Sequence, residues 1–195
     1  EAVQSLADWV INMDDGRRRF LGRFDRRPTG LCSATAHWHY HGPGRGAGNS
    51  INALLDAYLL TSAEPYLHKA EELIRRCIHP ADDIRGHGLD DVEYRWSYTV
   101  FLQVLGKYLD LKADKDDIDY MYSYARASLL HYATWMLEHE VPYTRVFDRV
   151  KIPTETWPAQ DIRKSYVLHL AAIYATDPVR HSAASQQADF FFQAG

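Results

Sequence analysis

At 195 residues the chain is long enough for one domain with a sizeable core, and no linker-like stretch marks a second. Lys and Arg number 22 against 26 Asp and Glu, a net charge of -4, and the two signs are interleaved. That removes any bulk attraction to phosphate backbones or anionic lipid, and excludes nucleic acid and membrane as default partners. The two cysteines, Cys32 and Cys77, lack CxxC spacing, so no disulfide framework or thiolate metal site is indicated; two buried thiols are expected. No run approaches the ~18 apolar residues of a membrane span, and the start lacks a signal peptide's basic and apolar regions. The reading is a soluble chain, with the cytoplasm the favoured compartment.

In chain order, Val3, Leu6, Ala7 and Val10 set a helical period over a first helix running to Met13 or Asp14, with no capping residue before it. At the other end Phe190, Phe191 and Phe192 have nothing after them to complete a packing layer. Both edges read as cut. The expectation is a single α-helical domain over 1–195 that is a piece of a longer protein, whose remaining domains are its neighbours. After Gly16 comes a basic run, Arg17, Arg18 and Arg19, then Arg23, Arg26 and Arg27, with Phe20, Leu21 and Phe24 interleaved. This reads as a surface segment with solvated arginines or a brace for carboxylates.

The stretch from His37 to Asn49, HWHYHGPGRGAGN, packs histidines, aromatics, an arginine and glycines into one loop that opens onto an apolar helix. That helix, Gly48 to Leu60, takes Asn49 or Ser50 as N-cap and carries apolar residues at 51, 54, 55, 58 and 59, with Ala53, Ala57 and Leu60 extending the stripe round most of its surface. It is an inner helix. Thr61 and Ser62 make a short turn, and Pro65 falls in the first turn of the next helix, where its missing N–H costs nothing. There Leu67, Ala70, Leu73, Ile74 and Cys77 oppose a charged face of His68, Lys69, Glu71, Glu72, Arg75 and Arg76. This is an outer helix.

The alternation repeats. After the long link PADDIRGHGLDDVEYR comes a second inner helix, about Trp96 to Leu111, then a polar turn over Lys112 to Lys115. An Asp116 or Asp117 cap starts a second outer helix, which ends near His139. The link VPYTRVFDRVKIPTETWPAQ leads to a third inner helix, roughly Asp161 to Ala175, with Tyr166, Val167, Leu168, Leu170 and Ile173 expected to be buried. Thr176, Asp177 and Pro178 start the last outer helix. Links within a hairpin are about two to four residues, whereas those between hairpins far exceed the usual median of ~5. With alternating helix directions, the long links share one end, at the N-termini of the inner helices.

Buried and amphipathic helices in this order, with GNSINALLDAYLLTSAEPYLHKAEELI as the most characteristic stretch, resemble the (α/α) toroid of six-hairpin glycosidases and polysaccharide lyases. The resemblance covers three hairpins and the helix before them, and a repeat of ~50 to 60 residues is too long for tetratricopeptides, which need ~34. It implies an all-α fold, a partial (α/α) toroid of helical hairpins, and a sugar chain bound where inner-helix N-termini and long links meet. The first link offers Trp38, Tyr40, Arg45 and Asn49 for that purpose; the second offers Asp91, Tyr94, Arg95 and Trp96; the third offers Glu155, Trp157, Asp161 and Arg163. Aromatic faces suit sugar rings, and planar donors and acceptors suit hydroxyls and carboxylates.

The chemistry stays open between two routes. For β-elimination, Arg45 or Asn49 would neutralise a uronate while His39 or His41 and Tyr40 or Tyr94 exchange protons. For hydrolysis, Asp90 or Asp91 would pair with Glu155 or Asp161 at ~5.5 Å or ~6.5 to 9.5 Å. Against both, the histidines can brace a helix cap, and the acids sit where capping and macrodipole compensation also place them. Trp157 reads as a sugar platform or as a plug. Neither route requires a cofactor. Two alternatives stand beside the carbohydrate reading: a non-catalytic helical scaffold that contacts a protein, and a metal-dependent enzyme in which His37, His39 and His41, at period two, join His87 and Asp90.

Overall fold

A computed structural model describes residues 1–14 and 42–195. All regular structure among the described residues is helical, and none of these helices is long and apolar enough to cross a membrane. The described chain forms two compact units, Glu1–Ile78 and His79–Gly195.

In the first unit, α1 (Ala2–Asp14) and α3 (Glu64–Cys77) both pack on α2 (Arg45–Thr61). The core of α2 is as its pattern predicts, with Ile51, Leu54, Leu55, Ala57 and Tyr58 buried, but its last turn is not: Leu59 and Leu60 are exposed. Its start also differs. The helix begins at Arg45 with Gly44 as N-cap, so Asn49 and Ser50 lie inside it rather than capping it, and the Ser50 hydroxyl donates back to Gly46 O at 2.9 Å. Gly44 and Gly48 are buried in this extra turn. Pro65 stands in the first turn of α3, and Tyr66 ties that helix to α1 by donating its hydroxyl hydrogen to Asp8 Oδ1 at 2.9 Å. Lys69, expected on the charged face, is buried along its stem and reaches out to Glu72 at 2.9 Å. Cys77 is buried, whereas Cys32 lies outside the described residues.

The second unit contains α4 (Val92–Arg95), α5 (Tyr98–Asp114), α6 (Tyr120–His139), α7 (Thr156–Ala159), α8 (Asp161–Tyr174) and α9 (Pro178–Ala194). Here α8 is central, packing on α5, α6 and α9. Close approach to α5 depends on Gly106, where an added Cβ would overlap the δ-methyls of Leu170. The turn after α5 comes later than its polar composition predicts. Lys112 is buried and its ammonium pairs with Asp117 and, at 2.9 Å, with Asp119, so the helix runs on to Asp114 and the chain reverses at Asp116, which has φ +56°. Asp119, not Asp116 or Asp117, is the N-cap of α6, accepting from Tyr122 N at 2.8 Å.

On α8 the expected all-round burial fails along one stripe. Val167, Leu168, Leu170 and Ala171 are buried, but Ile162, Tyr166 and Ile173 are 46%, 47% and 69% exposed. These positions recur at helical spacing, so they form one open face while α5, α6 and α9 cover the others.

Replacing Gly106 by Ala should lower stability by ~1 to 2 kcal/mol, because overpacking outweighs the gain of helix propensity at this position. In a urea titration, Gly106→Ala combined with Leu170→Ala should cost less than the sum of the two single changes, since the second removes the methyls that the first displaces.

Candidate functional site

The second unit gathers its polar chemistry at the end where two long links enter α5 and α8. The first of these, residues 79–97, is pinned to α6 through Asp82. Its carboxylate accepts from His79 N at 2.8 Å and from the Tyr132 hydroxyl at 2.9 Å, and its carbonyl accepts from His131 Nε2 at 2.9 Å. A left-handed Gly88, φ +62°, then turns the chain towards α4. The other link, residues 140–160, meets α4 directly. Lys151 donates from its backbone N to Glu93 Oε2 and from Nζ to the Tyr94 hydroxyl, both at 2.8 Å, and its ammonium lies 5.1 Å from the Tyr94 ring centre. Trp157 sets its edge against Trp96 at 6.5 Å and donates from Nε1 to Ile152 O at 3.0 Å. Thus the two links join.

Beneath them lies a buried charge cluster. Lys164, 1% exposed, projects from the first turn of α8, donates to Val141 O at 2.7 Å and forms an ion pair with Glu140 Oε2 at 2.8 Å. Its ammonium also lies 3.1 Å from Asp161 Oδ1, an ion pair without the alignment of a hydrogen bond, and 3.6 Å from the centre of the Tyr143 ring. The second oxygen of Asp161 accepts from Tyr143 N at 2.9 Å, and Glu140 Oε1 accepts from the hydroxyl of buried Tyr98 at 2.6 Å. Burial pushes the Asp161 carboxyl above its ordinary range, with the Lys164 charge acting in the opposite direction. Burial likewise raises the Tyr143 hydroxyl well above its usual value, and the Glu140 and Asp161 charges add to it.

A cleft opens over this cluster, with about 410 Å³ of empty space including its mouth. Aromatic rings of Trp96, Trp135 and Tyr143 line it, with Asp90, Glu140 and Arg149 as polar groups. Trp135 stacks on His139 at 5.0 Å with planes 4° apart, and Tyr98 and Trp135 meet edge-to-face at 6.1 Å. Inside its mouth the cleft is narrow, about 40 Å³, so its aromatic and polar groups are offered to a ligand at the opening.

Of the residues singled out from sequence, Trp96 lines this cleft and Trp157 packs behind it, against Trp96 and Tyr143. Tyr94 is engaged by Lys151. Asp91 is exposed at the N-cap of α4, Arg95 is half-buried in its last turn, and Glu155 is exposed at the N-cap of α7. Asp161 is fully buried in the ion cluster. Arg163 donates to Gln160 and to Gln103, each at 2.8 Å, tying α8 to α5. Arg45 and Asn49 are exposed in the first turns of α2, in the other unit. Trp38, His39, Tyr40 and His41, with His37, lie outside the described residues. Among the described residues, no three His, Cys, Asp or Glu side chains gather in a metal-binding geometry, and His87 lies 3.8 Å from Asp82. Sequence reasoning overlooked Glu140, Trp135 and His139. The available signal was Lys164 in the first turn of an apolar helix, since a lysine there needs a carboxylate partner.

Compared with protein-family models, with curated proteins and with solved structures, the chain matches none.

Replacing Lys164 by Met should cost ~3 to 5 kcal/mol at neutral pH, because two carboxylates then face each other without their cation. The loss has a defined pH sign. Without Lys164 the folded-state pKa of Asp161 rises further above its unfolded value, so the variant recovers stability as pH falls and loses it as pH rises through that pKa. Urea midpoints measured from about pH 4 to pH 8 should show the gap to the parent protein widening with pH.

Proposed function

We propose that the chain is a carbohydrate-binding domain of the (α/α) toroid type, from a sugar-processing enzyme, with its substrate held at the end bearing the long links. One observation carries this reading: two long links join around a cleft whose walls are Trp96, Trp135 and Tyr143 and whose polar groups include Asp90, Glu140 and Arg149. Stacking faces beside hydroxyl-binding carboxylates and a guanidinium are what a sugar ring requires. The helix pattern supports the same reading, with α5 and α8 carrying more buried residues than α6 and α9. Of the two chemistries, hydrolysis is the better supported. Hydrolysis needs paired carboxylates, and Asp90 and Glu140 both line the cleft, Glu140 held by Lys164 and Tyr98, whereas Asp161 is enclosed beneath it.

A second reading, a non-catalytic scaffold that contacts a protein, is favoured by the open face of Ile162, Tyr166 and Ile173 on α8.

Calorimetric titration with a panel of neutral, amine-bearing and uronate oligosaccharides distinguishes the readings. Binding should appear for at least one class, and Trp135→Ala, checked for folding by circular dichroism, should weaken it roughly tenfold through lost stacking area. Absence of binding by every class would leave the scaffold reading in its place.

A further inference from the structure

A second hollow adjoins the cleft. It is shallow, with about 590 Å³ of space counted to its open mouth, and it lies along α6 between His131 and His139, with Asp82, Asp83, Arg85 and Glu138 at its borders. Trp135 and His139 line both hollows. The stacked rings are therefore a ridge with a depression on each side, and together the two depressions extend along the last turns of α6 from His131 to Glu140 just past its end. At helical rise that is about 13 Å, longer than a single pyranose ring.

The charges along this path are unequal. Asp82, Asp83 and Glu138 border the shallow hollow, and Asp90 and Glu140 border the deeper one. Against these five carboxylates stand Arg85, Arg149 and Lys164, and Lys164 is shared between Glu140 and the enclosed Asp161. The surplus is negative beside the shallow hollow, where three carboxylates face one guanidinium, while the deeper cleft is balanced. An acidic sugar entering the shallow hollow would meet like charge, whereas an ammonium group would find carboxylates there.

Resting on the sugar-binding reading above, we propose that the two hollows are neighbouring subsites for one chain of amine-bearing sugars, at least two rings long, that crosses the Trp135–His139 ridge. The chain length follows from the shared wall, and the sugar class follows from the charge surplus of the shallow hollow. A uronate polymer, the substrate that β-elimination needs, is disfavoured in this groove.

The test titrates the protein with the tetramers of glucosamine, N-acetylglucosamine and galacturonate, and with glucosamine monomer and dimer. The glucosamine tetramer should bind tightest, at least ~10-fold ahead of galacturonate, and the preference should narrow between ~50 and ~300 mM salt. Affinity should rise from monomer to dimer to tetramer. Asp83→Asn and Glu138→Gln change exposed side chains, so both variants should fold; each should reduce glucosamine binding several-fold more than it reduces binding of the neutral tetramer. Tightest binding of galacturonate or of the neutral tetramer, insensitivity to salt and to both variants, or a monomer that binds as tightly as the tetramer would each overturn the proposal. If no chain of any class binds, the sugar-binding reading itself falls; if sugars bind in another order, only this inference does.

Discussion

An ammonium group held out of water is the constraint on which the second unit depends. Lys164 leaves the first turn of α8 and is met by Glu140, just past the end of α6, by the carbonyl of Val141, and by Asp161 one turn back on its own helix. Dehydrating an ion costs several kcal/mol even after relaxation, so such a group is tolerated only where opposite charge and hydrogen bonds are already in place. The partners come from two helices and the start of a long link, so the ammonium fixes where that link begins. Asp161 extends the constraint by accepting from Tyr143 N, and Glu140 extends it to α5 through Tyr98. A cleft floor made in this way is specified by electrostatics rather than by apolar packing alone.

The opposite end of the same helices is closed by different means. Lys112 is again buried, but its carboxylate partners are the neighbouring Asp117 and Asp119, so the pairing only shapes a turn. Burial, acting first, and the Asp110 carboxylate that accepts its hydrogen bond together raise the Tyr174 hydroxyl, while Arg126 Nε donates to Tyr174 O at 2.8 Å. These contacts bind α5, α6 and α8 into one frame at their short-link end. The long links then make their own junction at the other end, through Lys151 against Glu93 and Tyr94 and through Trp157 against Trp96. The helical frame and the junction of the links are thus held by separate sets of contacts.

Most helices were legible because local rules and burial agree there. Pro65 and Pro178 mark helix starts, and the apolar period of Leu67 to Cys77 marks a covered face, as found. Boundaries differ from composition in two places: Lys112 reads as a turn residue but is buried inside α5, and Asn49 reads as a cap but lies one turn inside α2. Burial was overstated for Tyr166 and Ile173, because an apolar residue reports what it prefers and not whether a neighbour covers it. The candidate site was legible in part. Trp96 was identified by its place in a long link, but Glu140 and Trp135 were not, since nothing local distinguishes them from an ordinary helix end.

The sequence by itself determined the all-helical class, the order of helices and the division into short and long links, because turn chemistry and helical periodicity act over a few residues. It also determined that the long links carry the aromatic and charged side chains. Only the tertiary structure decided which of those side chains meet. The meeting of Lys164 with Glu140, 24 positions apart in the chain, and of Trp96 with Trp157, 61 apart, depends on how α5, α6 and α8 pack, and on the buried charge that had to be answered where they do.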